Sequence, residues 1–561
     1  MSANPPVRLA SVLELGPNLV AFSVRHPALV RRTVVTALFC GLGLLYISFP
    51  TKNYYWDGIS FASAIESSAR FNSTLIHPHH LLYNAFGFVL YRLTGLLGFH
   101  FRAVEVLQFT NCILSVCCAA LLARLLQRAL QSYFVTAIGV AGFAFSSTWW
   151  KYSTDADSYV LSVLFLLVAI NLLHGSEHVK SVPLALAHVA AMCFHQLAVF
   201  FFPAVIIGIC LQKTSARQRV QLAVQYTVLT SLLILGLNYL CFHFSTGSFG
   251  IIDFWRWLTL YVQGPEAYSF SFDWLNNLRF TLRGAIRLFF EGRLNWIKGL
   301  VNIPVVLLIS LLAGIVLMLV FRFIKAVAAI RRPLNKFGDI DPKLRPLAYT
   351  CGVWFVTYLV FLFFWYPYFT PYRLFFLPAL MCLLCVWLLQ KQRRDPAIRT
   401  SALLLATGMA ISNFVFFILP MTHSDKYPPL AFALEMNERW SPNTTVLFAS
   451  SNADNDLVRY FSPATTWRKL TADYEQSIAI ELQRTVRDGG SVWLETSAID
   501  RLELSQQGST WLSTHARLNC HKELNDGRYR LKFVEVVPVD ASASLLADCG
   551  PDTYDQKYSV K

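Results

Sequence analysis

Between Tyr54 and Tyr83 the chain reads Y-Y-W-D-G-I-S-F-A-S-A-I-E-S-S-A-R-F-N-S-T-L-I-H-P-H-H-L-L-Y. Two carboxylates, Asp57 and Glu66, and three histidines, His77, His79 and His80, stand there beside apolar segments. Tyr54, Tyr55 and Trp56 are amphipathic rings of the kind found at a membrane–water boundary. Acids at such a boundary are costly unless something charged or reactive pairs with them. A carboxylate that reaches a hydroxyl proton can act as a general base, and Asp57, just past the first apolar run, is the candidate for that role. The structural alternative is a helix cap or turn, helped by Gly58. Glu66 is a second candidate, but on a continuous helix it lies about half a turn out of phase with Asp57. Both acids face one site only if that helix breaks. Adjacent histidines on a helix starting at Pro78 point in different directions. His77, His79 and His80 therefore suit substrate or phosphate contact, or structural hydrogen bonds, better than a metal.

Four more places carry chemistry. In W-W-K-Y-S-T-D-A-D-S-Y, ending at Tyr159, Asp155 and Asp157 suit either a helix cap or a divalent cation. Capping for one and function for the other favours Asp157 as the functional acid, with Tyr159 beside it. His195 lies between two short apolar runs, either packed or touching a ligand. Arg279, Arg283 and Arg287 recur every four residues and share one helix face. That face reads as an interfacial helix on lipid headgroups or as a clamp for a lipid-linked phosphate, which guanidinium matches. Arg373, in Y-P-Y-F-T-P-Y-R, is the alternative phosphate ligand and the first candidate of the two. No metal-ligand set is assigned. The chemistry needs no cofactor, although a divalent cation, Mg or Mn, is compatible with it.

Positioning these residues falls to a membrane frame. The chain has 561 residues, 55% of them hydrophobic and only 14% charged. That is too apolar for a soluble protein of this length. The formal charge of +15 comes largely from basic residues between apolar runs, where orientation rather than nucleic acid is the ordinary explanation. The expected architecture is a polytopic α-helical membrane protein of about 11 transmembrane helices. Its spans are 33–50, 103–122, 134–149, 159–174, 183–194, 198–211, 220–242, 299–321, 347–365, 374–389 and 401–419. Residues 81–98 are read as half-embedded on the outer side, because a crossing there would turn every strongly basic loop outward. On this count Asp57, Glu66, the histidines, Asp157, His195 and Arg373 all share the outer face.

Residues 1–32 form a basic cytoplasmic lead, and 33–420 the membrane domain, with outer loops at 51–102 and 244–298. Residues 421–561 are polar, with strand-like runs at 445–449, 491–494 and 529–536 and a helix-like run at 474–488. Turn signals separate them, so this part reads as a small extracytoplasmic α/β domain. It carries no P-loop, Gly-x-Ser-x-Gly or Gly-x-Gly-x-x-Gly. Of 12 cysteines, most lie in apolar runs and act as small apolar residues. Cys520 and Cys549 could pair if their side is oxidising.

An acid after the first span, then H-P-x-H-x-L-Y, R-A-V-E at Arg102–Glu105 and acid-x-Tyr at Asp157–Tyr159 together resemble the GT-C glycosyltransferases. The protein O-mannosyltransferase and lipid A aminoarabinose transferase branch is the most similar. The resemblance covers roughly residues 33–215. Gly58 and His79 depart from the usual pattern, which has Asp-Glu and H-P-P. The resemblance implies a polyprenyl-phosphate-linked sugar as donor, a hydroxyl acceptor on a glycan, lipid or protein, and inverting displacement. Asp57 would be the general base and Asp157 the second acid. Membrane lipids are partners and nucleic acid is not. The expected location is a bacterial inner membrane with the site facing outward. Sequons at Asn72 and Asn443 leave the endoplasmic reticulum open. The competing functions are a transporter or lipid flippase, and a non-catalytic assembly protein.

Overall fold

The computed structural model describes residues 27–175, 178–260, 270–292, 314, 340–392, 397–449, 453–470, 474–503, 516–525, 530–538 and 547–548. Four described helices are long and apolar enough to cross a bilayer: Ala103–Leu130 (α4), Ala216–Thr246 (α10), Arg345–Phe364 (α13) and the run Ala397–Met421, which begins with α15 (Ala397–Asn413). Other apolar helices pack among them: α1 (Pro27–Ser48), apolar over Arg32–Ser48, α5 (Tyr133–Ala144), α7 (Tyr159–Gly175), α8 (Ser181–Phe194), α9 (Phe202–Cys210) and α14 (Leu377–Gln392), with the short α6 (Ser147–Ser153) between α5 and α7. The expected span at 299–321 lies outside the described residues, apart from Gly314.

Local chemistry explains several boundaries. At the start of α4 the Arg102 amide donates to Glu105 Oε2 at 2.9 Å, a carboxylate placed at the positive end of the helix dipole. The helix ends at Gln131, which takes a left-handed φ of 51°. Helix α10 opens on a Ser215–Gln218 capping box and ends at Gly247, left-handed at φ 70°, the conformation glycine adopts most readily. Between α8 and α9 the chain turns at His195, whose backbone is extended. His195 is thus the apex of a hairpin.

Helix α3 (Tyr83–Leu96) has 14 residues and rises about 21 Å, less than a bilayer core of about 30 Å. Its Arg92 donates to the carbonyls of Ser68 and Ala69 at 2.6 and 2.7 Å, which ties it to the preceding loop. The expected helix start at Pro78 is instead a single 3-10 turn, Pro78–His80, and regular helix begins only at Tyr83.

Two amphipathic helices, α11 (Ile251–Leu258) and α12 (Trp274–Phe289), follow α10. The α12 surface exposes Trp274, Leu275, Leu278, Leu282 and Ile286, as an interfacial helix should.

After Pro420 come α16 (Pro428–Arg439), α17 (Ala453–Phe461), α18 (Tyr474–Arg487) and α19 (Thr496–Glu503), set on a mixed sheet. Its strands are β1 (Thr445–Phe448), β2 (Thr466–Lys469), β3 (Val492–Glu495), β4 (Ala516–Asn525), β5 (Arg530–Pro538) and β6 (Ala547–Asp548), in the order β2-β1-β3-β5-β4-β6. β1 runs parallel to β2 and β3, with Thr445 opposite Thr466 and Val492, while β5 is antiparallel to β3 and β4. Three of these strands and α18 match the segments expected from sequence to within two residues. Cys549, the expected partner of Cys520, lies outside the described residues.

The cores do not respect the boundary at 421. One apolar cluster fills the helical bundle. A second joins Tyr54, Ile59, Ala62 and Ile65 of the 51–102 segment to Leu430, Phe432, Leu457, Val458 and Tyr460 beyond that boundary.

Candidate active site

Helix α2 (Trp56–Ser67) begins directly after Tyr55, and Asp57 stands in its first turn. Next to Asp57, Gly58 lies on the backbone of Ala156: a Cβ at 58 would stand 2.9 Å from the Ala156 carbonyl oxygen. A side chain at 58 would therefore separate α2 from the Asp155–Asp157 turn. Gly58 thus brings Asp57 up to the second acidic segment, which is why this chain lacks a second acid at that position.

Helix α4 fixes the turn from the other side. Gln108 Nε2 donates to the carbonyls of Thr51 and Thr154, both at 2.8 Å. One turn on, Asn111 Nδ2 donates to the carbonyls of Asp155 and Asp157, both at 2.7 Å. With its carbonyls held, the turn presents its carboxylates differently. Asp155 is fully engaged: Oδ2 takes Lys151 Nζ at 2.9 Å and the Tyr55 amide at 3.1 Å, and Oδ1 takes the Ala156 amide at 2.8 Å. Asp157 Oδ1 accepts from the Ser158 amide at 2.6 Å. Its Oδ2 is buried with no hydrogen-bond partner among the described residues, and such an oxygen is costly unless something binds it.

The two free acids differ in environment. Burial first, and the Asp155 charge second, push the Asp57 carboxyl up to about 7. Asp157 is pushed well above the usual carboxylate range by burial and then by the charges of Asp57 and Asp155. Both carboxyls are thus held above the usual carboxylate range, and Asp57 ionises near neutrality, as suits a general base.

Histidines and tyrosines wall the site. His80 Nδ1 lies 2.8 Å from Ser158 Oγ and 3.3 Å from the Phe194 carbonyl, and Ser158 Oγ lies 3.4 Å from Asp157 Oδ1. The His80 ring meets His195 edge-on with centroids 4.7 Å apart, and His195 tilts against Tyr159 at 5.3 Å. Tyr159 in turn meets Tyr152 and Tyr372. Burial pushes His77 down to about 4, His79 to about 3 and His80 well below its ordinary value. These rings are neutral at pH 7, so they orient groups but do not neutralise an anion. His195 is pinned as well, its Nδ1 accepting from the Leu197 amide at 3.2 Å.

Glu66 does not join the site. Helix α2 is continuous, so Glu66 faces away from Asp57 and takes Arg102 Nε at 2.9 Å, the Ala103 amide at 2.7 Å and Tyr460 Oη at 2.6 Å. The sequence reads Glu66 as a second catalytic acid; in the structure its carboxylate is engaged by Arg102, Ala103 and Tyr460, and that of Asp155 by Lys151, Tyr55 and Ala156. Among the described residues no group of three or more His, Cys, Asp or Glu could hold a metal ion. Asp57 and Asp157 are the only site carboxylates left with uncommitted oxygens.

Arginine lies further along the aromatic wall. The Tyr55 ring meets Phe369, Phe369 meets Tyr366 and Tyr372, and Tyr366 meets Tyr368. Tyr366 holds a left-handed φ of 65°, an uncommon strain for a residue with a side chain, here directly before a proline. Tyr368 lines a cavity of about 380 Å³ with Phe280, Arg283, Gly284 and Arg287. Arg373 lies behind it, 3% exposed, donating to the carbonyls of Phe369 and Pro367 at 3.0 and 2.6 Å. Gly284 rests on its guanidinium, where no side chain would fit. Burial, then Arg287, push Arg373 down to about 10, so it remains a cation. The two arginine sets treated as alternatives in sequence are thus adjacent, with Arg283 facing the cavity and Arg373 bracing the turn beneath it. Arg287 is bound to Glu291.

Sequence reasoning passed over Tyr55, Lys151, Ser158 and Tyr152. The i, i+4 spacing of Lys151 and Asp155 was a usable signal for their ion pair.

A frame of apolar helices with paired acids at helix ends and a C-terminal α/β unit defines the architecture, and solved structures share its fold. ArnT from Cupriavidus metallidurans bound to undecaprenyl phosphate matches over 90% of this chain and 97% of its own, with TM-score 0.53 and 12% identity. The same protein in the apo state gives TM-score 0.50 over 90% and 98%. The apo oligosaccharyltransferase of Archaeoglobus fulgidus covers 82% of this chain at TM-score 0.41 and 11% identity. No family model and no curated protein matches the sequence. At these identities the likeness is one of fold: the chain shares the overall fold of ArnT.

Proposed function

We propose that this protein is a membrane glycosyltransferase that moves a sugar from a polyprenyl-phosphate donor to an acceptor hydroxyl at the outer membrane face. The observation that carries it is the pairing of Asp57, held near neutrality, with an arginine-lined cavity along one aromatic wall. Asp57 takes the acceptor proton as the hydroxyl oxygen bonds to the anomeric carbon. The bond from that carbon to the phosphate oxygen breaks, and the lipid phosphate leaves with its electron pair. Because the histidines are neutral, Arg283 meets the developing phosphate charge, with Arg373 adding a fixed positive charge from behind Gly284. Asp157, whose Oδ2 has no hydrogen-bond partner among the described residues, and the His80–Ser158 pair orient the sugar or the acceptor.

This displacement needs no metal. Asp57 and Asp157 would be the protein ligands for Mg or Mn, but two carboxylates leave most of an oxygen shell unfilled. A chelator should leave transfer unchanged. The location that fits is a bacterial inner membrane with the site outward, since every short basic loop then faces the cytoplasm. A transporter would place its ionisable groups near mid-membrane between internal repeats, whereas these acids lie in outer loops. The test is mass spectrometry of lipid-linked sugars in cells lacking the gene. The donor should accumulate, Asp57→Asn should fail to clear it, and clearance by that variant would favour the assembly-protein reading.

A further inference from the structure

Both ends of the helix that carries Asp57 are held by one short segment of the C-terminal domain. At its start, the ring of Tyr54 stacks on Phe461 with centroids 5.8 Å apart. At its end, Glu66 Oε1 accepts from Tyr460 Oη at 2.6 Å. Arg102 closes the contact: it binds Glu66 through Nε, donates from Nη2 to the Tyr460 carbonyl at 2.9 Å, and lies over the Tyr460 ring at 4.0 Å. The Val104 amide adds a bond to Tyr460 Oη at 3.3 Å. Between these ends Ile59, Ala62 and Ile65 share a core with Leu457 and Val458.

A 12-residue helix with no side-chain cap at its N-terminus is marginal on its own. Its place is set by what packs on it. On one side that is the Ala156 turn, through Gly58; on the other it is α17.

We infer that Tyr460 and Phe461 are positioning residues, by which the C-terminal domain fixes the orientation of α2 and the seating of Asp57 against Asp157. The domain is then a working part of the site rather than an appended module. The importance of this for catalysis rests on the transferase reading; the positioning itself does not.

The test uses the full-length protein in lipid nanodiscs. A water-soluble carbodiimide with glycine ethyl ester labels protonated carboxyls, and peptide mass spectrometry follows Asp57 labelling from pH 5 to 9. The charged and titratable groups around Asp57 are Asp155 and Asp157 of the 155–157 turn, Lys151 paired with Asp155, and Tyr55 and Tyr152; all are unaltered in these variants. A change at Asp57 therefore reports the seating of α2. The parent should lose labelling near pH 7. In Phe461→Ala and Tyr460→Phe the carboxyl is better solvated, and labelling at pH 6.5 should fall about tenfold. Phe461→Trp, which keeps the stack, should label as the parent does. Glu66→Gln weakens the same contact by removing the charge that pairs with Arg102, and covers the case in which Phe461→Ala does not fold. In a double-mutant cycle, Glu66→Gln and Tyr460→Phe together should act no more strongly than either alone.

An unchanged Asp57 profile in folded Tyr460→Phe and Phe461→Ala overturns the inference. So does an equal change in Phe461→Trp. A shifted profile with no build-up of lipid-linked sugar in cells lacking the gene would sustain the positioning and reject the transferase reading.

Discussion

Replacing Asp57 by Asn keeps the shape of the side chain and removes its basic oxygen, so two opposed effects should separate. Burial and the Asp155 charge hold the carboxyl at about 7 in the folded protein against an ordinary 3.8. A raised carboxyl favours folding only while it is protonated. The penalty begins as pH rises past the unfolded value and is complete above about 7. At about 1.36 kcal/mol per tenfold change, the whole displacement is roughly 4 kcal/mol. Asp57 is only partly buried, and solvent screening reduces this to about 2 kcal/mol. Asparagine never ionises and escapes the penalty. The variant should therefore melt about 2–4 °C above the parent at pH 8, with about a third of that gain at pH 5. Transfer should move the other way, falling about 10²–10⁴-fold. Parental transfer should rise with pH through about 7 as the carboxylate forms. Melting in nanodiscs at both pH values gives the first result, and clearance of lipid-linked sugar in complemented cells gives the second. Near-normal transfer by the variant, or an equal stability gain at pH 5 and pH 8, refutes the assignment of Asp57 as a base held up by burial.

Other changes probe the supports. Gly58→Ala places a methyl against the Ala156 backbone; it should cost about 1–3 kcal/mol in a melt and lower transfer by parting the two acids. Lys151→Met leaves Asp155, 0% exposed, without its cation, and should cost about 3–5 kcal/mol in the same measurement. Arg283→Ala should weaken binding of undecaprenyl phosphate about fivefold by fluorescence titration, since an exposed guanidinium contributes about 1 kcal/mol; Arg283→Lys should lose less. Cysteines placed at Ser132 and Ser215 should resist membrane-impermeant labelling in intact cells, and labelling of either would reverse the proposed orientation.

Much of the frame was legible because periodicity and charge placement are local. β1, β3 and β5 combine apolar runs with flanking turn signals. β2, T-W-R-K, is largely exposed and offers no apolar alternation. β4 is broken by an irregularity between Leu518 and His521, so its pattern changes phase midway. The acids were legible for the same local reason, standing at the ends of apolar runs. What each acid does was not, because their partners are distant. Lys151 and Tyr55 occupy the Asp155 carboxylate, whereas Asp157 Oδ2 has no hydrogen-bond partner among the described residues.

The arginines make the point most sharply. Read along the chain, Arg283 and Arg373 compete for one role, and Arg373 comes first there for its place at the end of an apolar span. In three dimensions Gly284 lets α12 settle onto the Arg373 guanidinium, which spends its donors on Phe369 and Pro367 and bends the aromatic turn toward the cavity. Arg283, one residue from that glycine, is left facing the space. The glycine therefore divides the labour between the two cations, one as brace and one as ligand. It does so by the lack of a side chain, which a scan for reactive groups passes over. Gly58 works the same way at the acids, so the two residues that assemble this site carry no functional group at all.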